Sequence, residues 1–482
     1  MEGGRKLRRL SAGVRQRRTL FSSLQFEFSF GNNLLDESSS AQLLLRKDYT
    51  MIKRLFRKWR LRSTYASTIV RWIVFAVAMG LLCGVIGTAF DLTLELASHQ
   101  FAHHRWLIFL LPVAGVLIVW LYKLGRVKKD NGSDMIVHSV REDLKVPYAV
   151  APLVFVGTTL TQLCGGSSGR EGAALQMGGA VGTFCGRMLH LKEKNTNILA
   201  MCGMAALFSA VFGTPVTASV FAIEMISVGT VYYMAFFPCL LSSIIAYLIA
   251  IACGVVPAAQ KMAAVVIPEL SLLTLGKVLL LGAVFALLSV LFVASVHKAE
   301  HLAAHYLENP YLRVVAGGCA VILLTVAVWL FTDGFAYNGA GMEGVIAAVA
   351  GEATPWDCLL KIVFTAFTLG FGFKGGKIVP GFFIGATFGC VLAGWLGLPP
   401  SFGAALGLVA LFSGMTNCPL ASLILGIELF GGAGVLYYTI MAAMLYMLSG
   451  YYSFYSGREA AYSKLQEEYI HHSRVGTGRR IK

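Results

Sequence analysis

The sequence predicts an all-α, polytopic membrane protein of two structural halves, in which full spans alternate with broken and re-entrant helices. Three observations carry that prediction. Hydrophobic residues make up 56% of the 482 and charged residues only 13%, against ~25% charged in soluble domains. A pattern of aromatic, proline and acidic residues occurs twice in the chain. Several apolar runs are also interrupted by glycine or proline before reaching the ~20 helical residues that ~30 Å of hydrocarbon requires.

Residues 1–63 hold 15 Lys/Arg against 5 Asp/Glu and lack an uninterrupted apolar stretch of the kind a cleavable signal has. They read as a basic, irregular segment. Met51, followed by "IKRLFRKWR", is an alternative start. Apolar runs begin near Thr68 and recur to Ser449, for example "IVFAVAMGLLCGVIGTAF" (73–90) and "LLLGAVFALLSVLFVASV" (279–296). A transmembrane domain is therefore expected over 64–460, with halves of about 64–255 and 256–460, followed by a short tail, 461–482. Residues 458–482 hold six Lys/Arg against three Asp/Glu. Two basic ends on an apolar chain place both termini in the cytoplasm by the positive-inside rule. The sequence pI of about 9.4 does not point to nucleic acid, because no basic patch is interleaved with aromatics outside these tails.

Composition excludes other chemistry. The ten cysteines fall singly in apolar stretches with no CxxC pair, as small buried hydrophobes do. His297, His301 and His305 share one helix face at i, i+4 and i+8, which reads as a polar face at a membrane exit rather than a metal site. An intramembrane hydrolase would need a nucleophile with its base, or a cluster such as HExxH, and the sequence has neither.

Repetition divides the chain. "FSAVFGTPVTASVFAIE" (208–224) and "FSGMTNCPLASLILGIE" (412–428) match at Phe208/Phe412, Ser209/Ser413, Pro215/Pro419, Ile223/Ile427 and Glu224/Glu428. Upstream, Gly178 and Gly182 correspond to Gly385 and Gly389. Two echoes in the same order are the mark of transporter folds that bind their ligand between repeats, near the midplane.

The chemistry sits where each half is broken. In "CGGSSGREGAALQMGGAVG" (164–182) glycines precede a helix expected to start around Gly172. In "GFGFKGGKIVPGFFIGA" (370–386) they precede Pro380, which suits a first helical turn. A helix N-terminus offers unpaired N–H groups and about half a positive charge, an anion site that needs no cationic side chain. Two such termini meeting at the midplane would hold a small monovalent anion weakly enough to release it. "GGKIV" lacks the Gly-Lys-Ser/Thr of a phosphate-binding loop. Glu171 would then act as a gate, entering the site when ionised and leaving it when protonated. Arg170 is expected to pair with another acidic group, since a direct guanidinium contact would trap the ion.

"GREGAALQMGG", "FGTPVTASVFAIE", "FKGGKIVPGFFIGATFG" and the tyrosine after "SGYYSF" resemble the CLC family of chloride channels and proton-coupled anion antiporters, over roughly residues 70–460. The resemblance implies a homodimer in the plasma membrane, each subunit with its own pore built from inverted halves in the bilayer, no cofactor, and chloride and protons as partners. It places Glu171 at the external gating position, within a "GREG" whose following proline is Ala173 here, so that Arg170 and Gly172 support the motif. The family's "GSGIP" stretch corresponds to "NGSDMI": Gly132 and Ser133 fit, Asp134, Met135 and Ile136 depart, and Ser133 supplies the hydroxyl. "GxFxP" appears as Gly376, Ile378 and Pro380, with the N–H groups of Ile378 and Val379 as donors. The pore tyrosine maps to Tyr455, with Tyr452 second. Met225 stands where coupled chloride antiporters commonly carry an internal proton-transfer glutamate, after the position of Glu224. "GFKGG" resembles the fluoride-exporting branch, in which a methionine replaces the filter serine, and Met135 lies nearby. Chloride is thus the first reading and fluoride the second. The chain ends about 25 residues after Tyr455, too soon for paired nucleotide-binding domains, so regulation by nucleotides is not expected.

Overall fold

The structure, a computed structural model, describes residues 39–127, 130, 132–142, 146–228, 231–331, 334–455 and 464. The chain divides into two units between Arg71 and Trp72. The first half contributes α1 (Ser39–His103), α2 (Leu111–Leu124), α3 (Asp134–Glu142), α4 (Val150–Leu163), α5 (Glu171–Met188), α6 (Glu193–Phe212), α7 (Pro215–Glu224) and α8 (Tyr233–Ala252). The second contributes α9 (Ala258–Lys261), α10 (Leu272–Tyr306), α11 (Pro310–Trp329), α12 (Met342–Val349), α13 (Asp357–Gly370), α14 (Ile378–Trp395), α15 (Pro400–Thr416), α16 (Pro419–Phe430) and α17 (Val435–Leu448). Among the described residues the regular elements are all helices, and seven of these are long and apolar enough to cross a bilayer. Helices α7 and α16, with 10 and 12 residues, reach only ~15–18 Å at 1.5 Å per residue, so each is a half-span.

One boundary differs from the sequence reading. Residues 39–63, expected to be irregular, are helical and form the beginning of α1. That stretch contains neither glycine nor proline and is rich in Leu, Lys and Arg, all strong helix formers. Residues 1–38 lie outside the described residues, as does the tail 461–482 apart from Lys464.

The two halves are built alike, and the echoed residues show why. A methyl group on Gly178 of α5 would lie 2.1 Å from the Gly203 carbonyl oxygen of α6, and one on Gly385 of α14 would lie 2.2 Å from that of Gly407 in α15. Both helix pairs therefore pack backbone to backbone, as small residues permit in membranes. Helix α6 ends at Gly213 and α15 at Asn417, each with left-handed backbone, φ 78° and 54°. Asn tolerates this conformation better than most side chains. Proline then opens α7 and α16 at a position where its missing N–H costs nothing. The halves meet in an aromatic cluster: Phe221 stacks against Phe208 and Phe412 with ring centroids 5.7 and 5.0 Å apart, and Phe382 touches Phe412 and Phe212 at 5.5 Å each. All five rings are buried.

The cysteines are all free, and seven of the ten are buried. His301 and His305 stack on one face of α10, while His297 lies against Phe454. Among the described residues no group of three or more His, Cys, Asp or Glu side chains is arranged to hold a metal.

Candidate anion site

The two glycine-rich loops meet. Gly169 N–H donates to the Gly376 carbonyl at 2.8 Å, and Gly376 N–H returns a bond to the Gly169 carbonyl at 2.6 Å. A methyl on Gly376 would lie 2.7 Å from the Gly172 nitrogen, and one on Gly172 would lie 2.9 Å from the Gly376 Cα. Only glycine allows this approach. It sets the N-termini of α5 and α14, one from each half, side by side. In α14 the first backward bond is Gly381 N–H to the Lys377 carbonyl, 3.2 Å. Pro380 has no N–H, so Ile378 and Val379 carry the amides that helix geometry leaves without an intrahelical acceptor. Both residues are buried, and these are the donors the motif designates.

Helix α5 begins at Glu171, one residue before the glycine expected to start it. The Glu171 side chain is 0% exposed. Its Oε2 accepts the Arg170 N–H at 3.1 Å, while Oε1 lies 3.6 Å from Arg170 Nε and has no hydrogen-bond partner. The Glu171 carboxyl thus lies at the tip of the helix it begins. Arg170 turns its guanidinium to Asp91 of α1, forming an ion pair, so its charge is committed to an acidic group on a neighbouring helix.

Helix α13 shapes the loop that leads to Glu171. Thr365 and Thr368 face Ser167: its N–H donates to Thr368 Oγ1 and its hydroxyl pairs with Thr365 Oγ1, both at 3.1 Å. Lys361, four residues earlier and fully buried, donates to the carbonyls of Tyr337 and Gly339 at 3.0 Å each. Asn338, between those two carbonyls, donates to the Gly165 carbonyl at 2.8 Å.

Ser133 precedes α3, and its hydroxyl donates to the Gly172 carbonyl at 2.8 Å, which brings the expected filter residue onto α5. Ile136, one turn on, packs where Gly179 of α5 leaves room. Asp134 and Ile136 are buried and Met135 is half-buried. Asn131 lies outside the described residues. Gly132 N–H donates to Asp130 Oδ1 at 3.0 Å. Asp130 lies in the connection between α2 and α3; burial pushes its carboxyl up, but Lys374, Gln176 and Gly132 together hold it below the ordinary value.

Tyr455 is 6% exposed and Tyr452 37%, which favours Tyr455 as the pore tyrosine. Its ring meets Phe221 of α7 at 6.3 Å. Phe454 beside it donates its N–H to the Met415 carbonyl and lies under the Lys377 ammonium, 4.9 Å from ring centroid to nitrogen. The stretch after α17 is therefore joined to the start of α14. Met225 caps α7 and is buried. Asp91, Asp130 and Gln176 were missed in the sequence. A lone aspartate in the apolar run "GTAFDLTLELA" was the available signal for the first, since an ionisable residue inside a span is functional by default.

The chain matches the family model described as voltage gated chloride channel over residues 114–449. It is 35% identical to a chloride/fluoride channel protein of Pseudomonas syringae pv. tomato, covering 82% of this chain and 88% of that one. It is 26% identical to the H(+)/Cl(-) exchange transporter ClcA of Vibrio cholerae, covering 74% and 81%. Among solved structures it superimposes on a CLC-type fluoride/proton antiporter with a TM-score of 0.77 at 30% identity, covering 81% of this chain and 98% of that one. A slow cyanobacterial Cl-/H+ antiporter shares the fold at a TM-score of 0.67 and 19% identity, over 79% and 94% of the two chains.

Proposed function

The chain belongs to the voltage-gated chloride channel (CLC) family, and on that premise we propose that it carries small monovalent anions, chloride first, through a pore gated by Glu171. The observation that carries this reading is the junction at Gly169 and Gly376, where two buried helix N-termini from opposite halves adjoin a buried carboxylate. An anion there would be held by the amides of Ile378 and Val379, with the positive end of the α14 dipole behind them. The Ser133 hydroxyl has one hydrogen and spends it on Gly172; turning that rotor toward the ion would supply a further donor. Tyr455 would supply another. Glu171 competes for the same positive ends when ionised and leaves them when protonated. Proton movement, where it accompanies the anion, runs through this carboxyl.

An internal relay has no carboxylate to use at the usual place. Met225 cannot bind a proton, and both oxygens of Glu224 accept backbone N–H groups. We place the protein in the plasma membrane as a homodimer with both termini cytoplasmic. The deciding experiment is the reversal potential in liposomes under combined chloride and pH gradients. A potential that follows chloride alone identifies a channel, and a shift with pH identifies antiport. No anion-selective potential at all would overturn the reading.

Fluoride is the second reading. Two observations favour it: the Pseudomonas relative is named for chloride and fluoride, and the structure matched at 30% identity is a fluoride/proton antiporter.

A further inference from the structure

We propose that Asp130 and Lys374 form a charge-balancing strut between the two halves, one that holds the Ser133 loop against the gate helix and sets the affinity of the site for its anion. The inference rests on the reading of Ser133 as an anion ligand. One carboxylate ties three segments together. Its Oδ2 accepts Lys374 Nζ at 2.9 Å, and its Oδ1 accepts Gln176 Nε2 at 2.6 Å and Gly132 N–H at 3.0 Å. Gln176 is five residues beyond Glu171 on α5, Gly132 precedes Ser133, and Lys374 is in the glycine loop that leads to Ile378 and Val379.

Ser133 is anchored on its C-terminal side by α3, whose Ile136 and Val137 N–H groups donate to the Ser133 carbonyl at 3.0 and 3.3 Å; the turn before it is set by the strut. Gly132 takes left-handed backbone, φ +65°, and a methyl placed on it would meet nothing within 4 Å. Two side-chain hydrogen bonds locate this turn: Gly132 N–H to Asp130 on one side and Ser133 Oγ to Gly172 on the other. Lys374 is aimed from both sides. Its Cβ packs 3.2 Å from where Gly157 of α4 would carry a methyl, and its ammonium lies 4.5 Å from the centroid of the Tyr122 ring.

The pair also solves an electrostatic problem. The Asp130 side chain is 4% exposed and that of Lys374 24%. An unpaired carboxylate next to an anion path repels the ion, and an unpaired ammonium traps it, since charges interact strongly where water is scarce. Removing one member of a buried pair leaves an uncompensated charge, while removing both does not. The two single neutralisations should therefore act in opposite directions.

Chloride and fluoride titrations by calorimetry on the purified full chain in detergent test this, each variant being checked first for wild-type elution. Lys374→Met should weaken anion binding about tenfold or more. Asp130→Asn keeps an acceptor for Gly132 and Gln176 but frees the ammonium, so binding should tighten severalfold while vesicle efflux slows. The double variant should return to within about threefold of wild type. If Lys374→Met does not fold, Lys374→Gln carries the same expectation. Ser133→Ala separates the two levels of the inference. If it leaves anion binding unchanged, the reading of Ser133 fails and takes the strut with it. If it weakens binding while both single charge variants shift affinity the same way, or not at all, the strut alone is overturned.

Discussion

Glu224 and Glu428 cap each other's helices. Glu224, the last residue of α7, accepts the N–H groups of Leu420 and Ala421 at the start of α16, at 3.1 and 2.8 Å. Glu428, near the end of α16, accepts those of Val216 and Thr217 at the start of α7, at 2.9 and 2.7 Å. The two half-spans lie antiparallel, and each satisfies two amides that the other's first turn leaves orphaned. With no water in hydrocarbon to take their place, these amides need a partner from the protein. The repeated Ile-Glu of the sequence is the signature of this reciprocal clasp.

Removing either carboxylate should therefore destabilise the protein without abolishing the site. Glu224→Ala and Glu428→Ala are each expected to cost about 1–3 kcal/mol, the range for orphaned buried donors, and the Gln variants less. Thermal unfolding followed by size-exclusion chromatography in detergent measures this. Stability unchanged in both Ala variants would mean the clasp contributes nothing.

Glu171→Gln should behave differently. The side chain keeps its shape but can no longer ionise, so transport should lose its dependence on external pH. If the wild-type protein is coupled, proton movement should stop while anion flux persists. Flux assays across an external pH series read this directly, and a wild-type pH profile in the variant would place the gate elsewhere.

Ser133→Ala and Tyr455→Ala each remove one hydroxyl donor. A hydrogen bond of this kind contributes ~1 kcal/mol, so each change should weaken anion binding by roughly fivefold. Unchanged affinity and selectivity in both would show that neither hydroxyl reaches the ion.

Gly178→Ala and Gly385→Ala probe the matching helix pairs. The added methyl would fall 2.1 or 2.2 Å from a carbonyl oxygen, far inside contact distance, and neither backbone can retreat without moving a packed helix. A loss of about 1–3 kcal/mol or more is expected, visible as reduced yield of folded protein. Equal tolerance of alanine and glycine at both sites would argue against the backbone-to-backbone packing.

The sequence disclosed the parts whose chemistry is local. Proline at Pro215 and Pro419 and glycine at Gly178 and Gly385 follow from what one residue permits the backbone, and the structure places them in matching positions of the two halves; the helix expected to start around Gly172 starts one residue earlier, at Glu171. The partners of the charged residues were not legible. Arg170 was expected to find an acid, but which one depends on α1 passing close by, and Lys374 meets Asp130 across 244 residues of chain. No periodicity reports such a pairing. The start of α1 was misread because a high density of Lys and Arg suits a solvated irregular tail and a charged helix equally well; the absence of glycine and proline from residues 39–63 was the discriminating feature.

The proposed preference for chloride rests on the proposed donors. Fluoride holds its water more tightly than chloride, so a fluoride-selective site must replace that hydration with stronger or closer contacts. The donors proposed around α5 and α14 are backbone N–H groups and the hydroxyls of Ser133 and Tyr455, and Ser133, rather than Met135, bonds to α5 at Gly172. Such a site favours larger anions that dehydrate easily. Lys377, half-buried at the start of α14 with its ammonium over Phe454, adds attraction for any anion and little discrimination. Chloride, bromide and nitrate should therefore pass readily and fluoride poorly. Parallel efflux from vesicles loaded with chloride or with fluoride decides the matter. Fluoride leaving much faster than chloride would sink this prediction, place the protein with the fluoride exporters and make Met135 the filter residue.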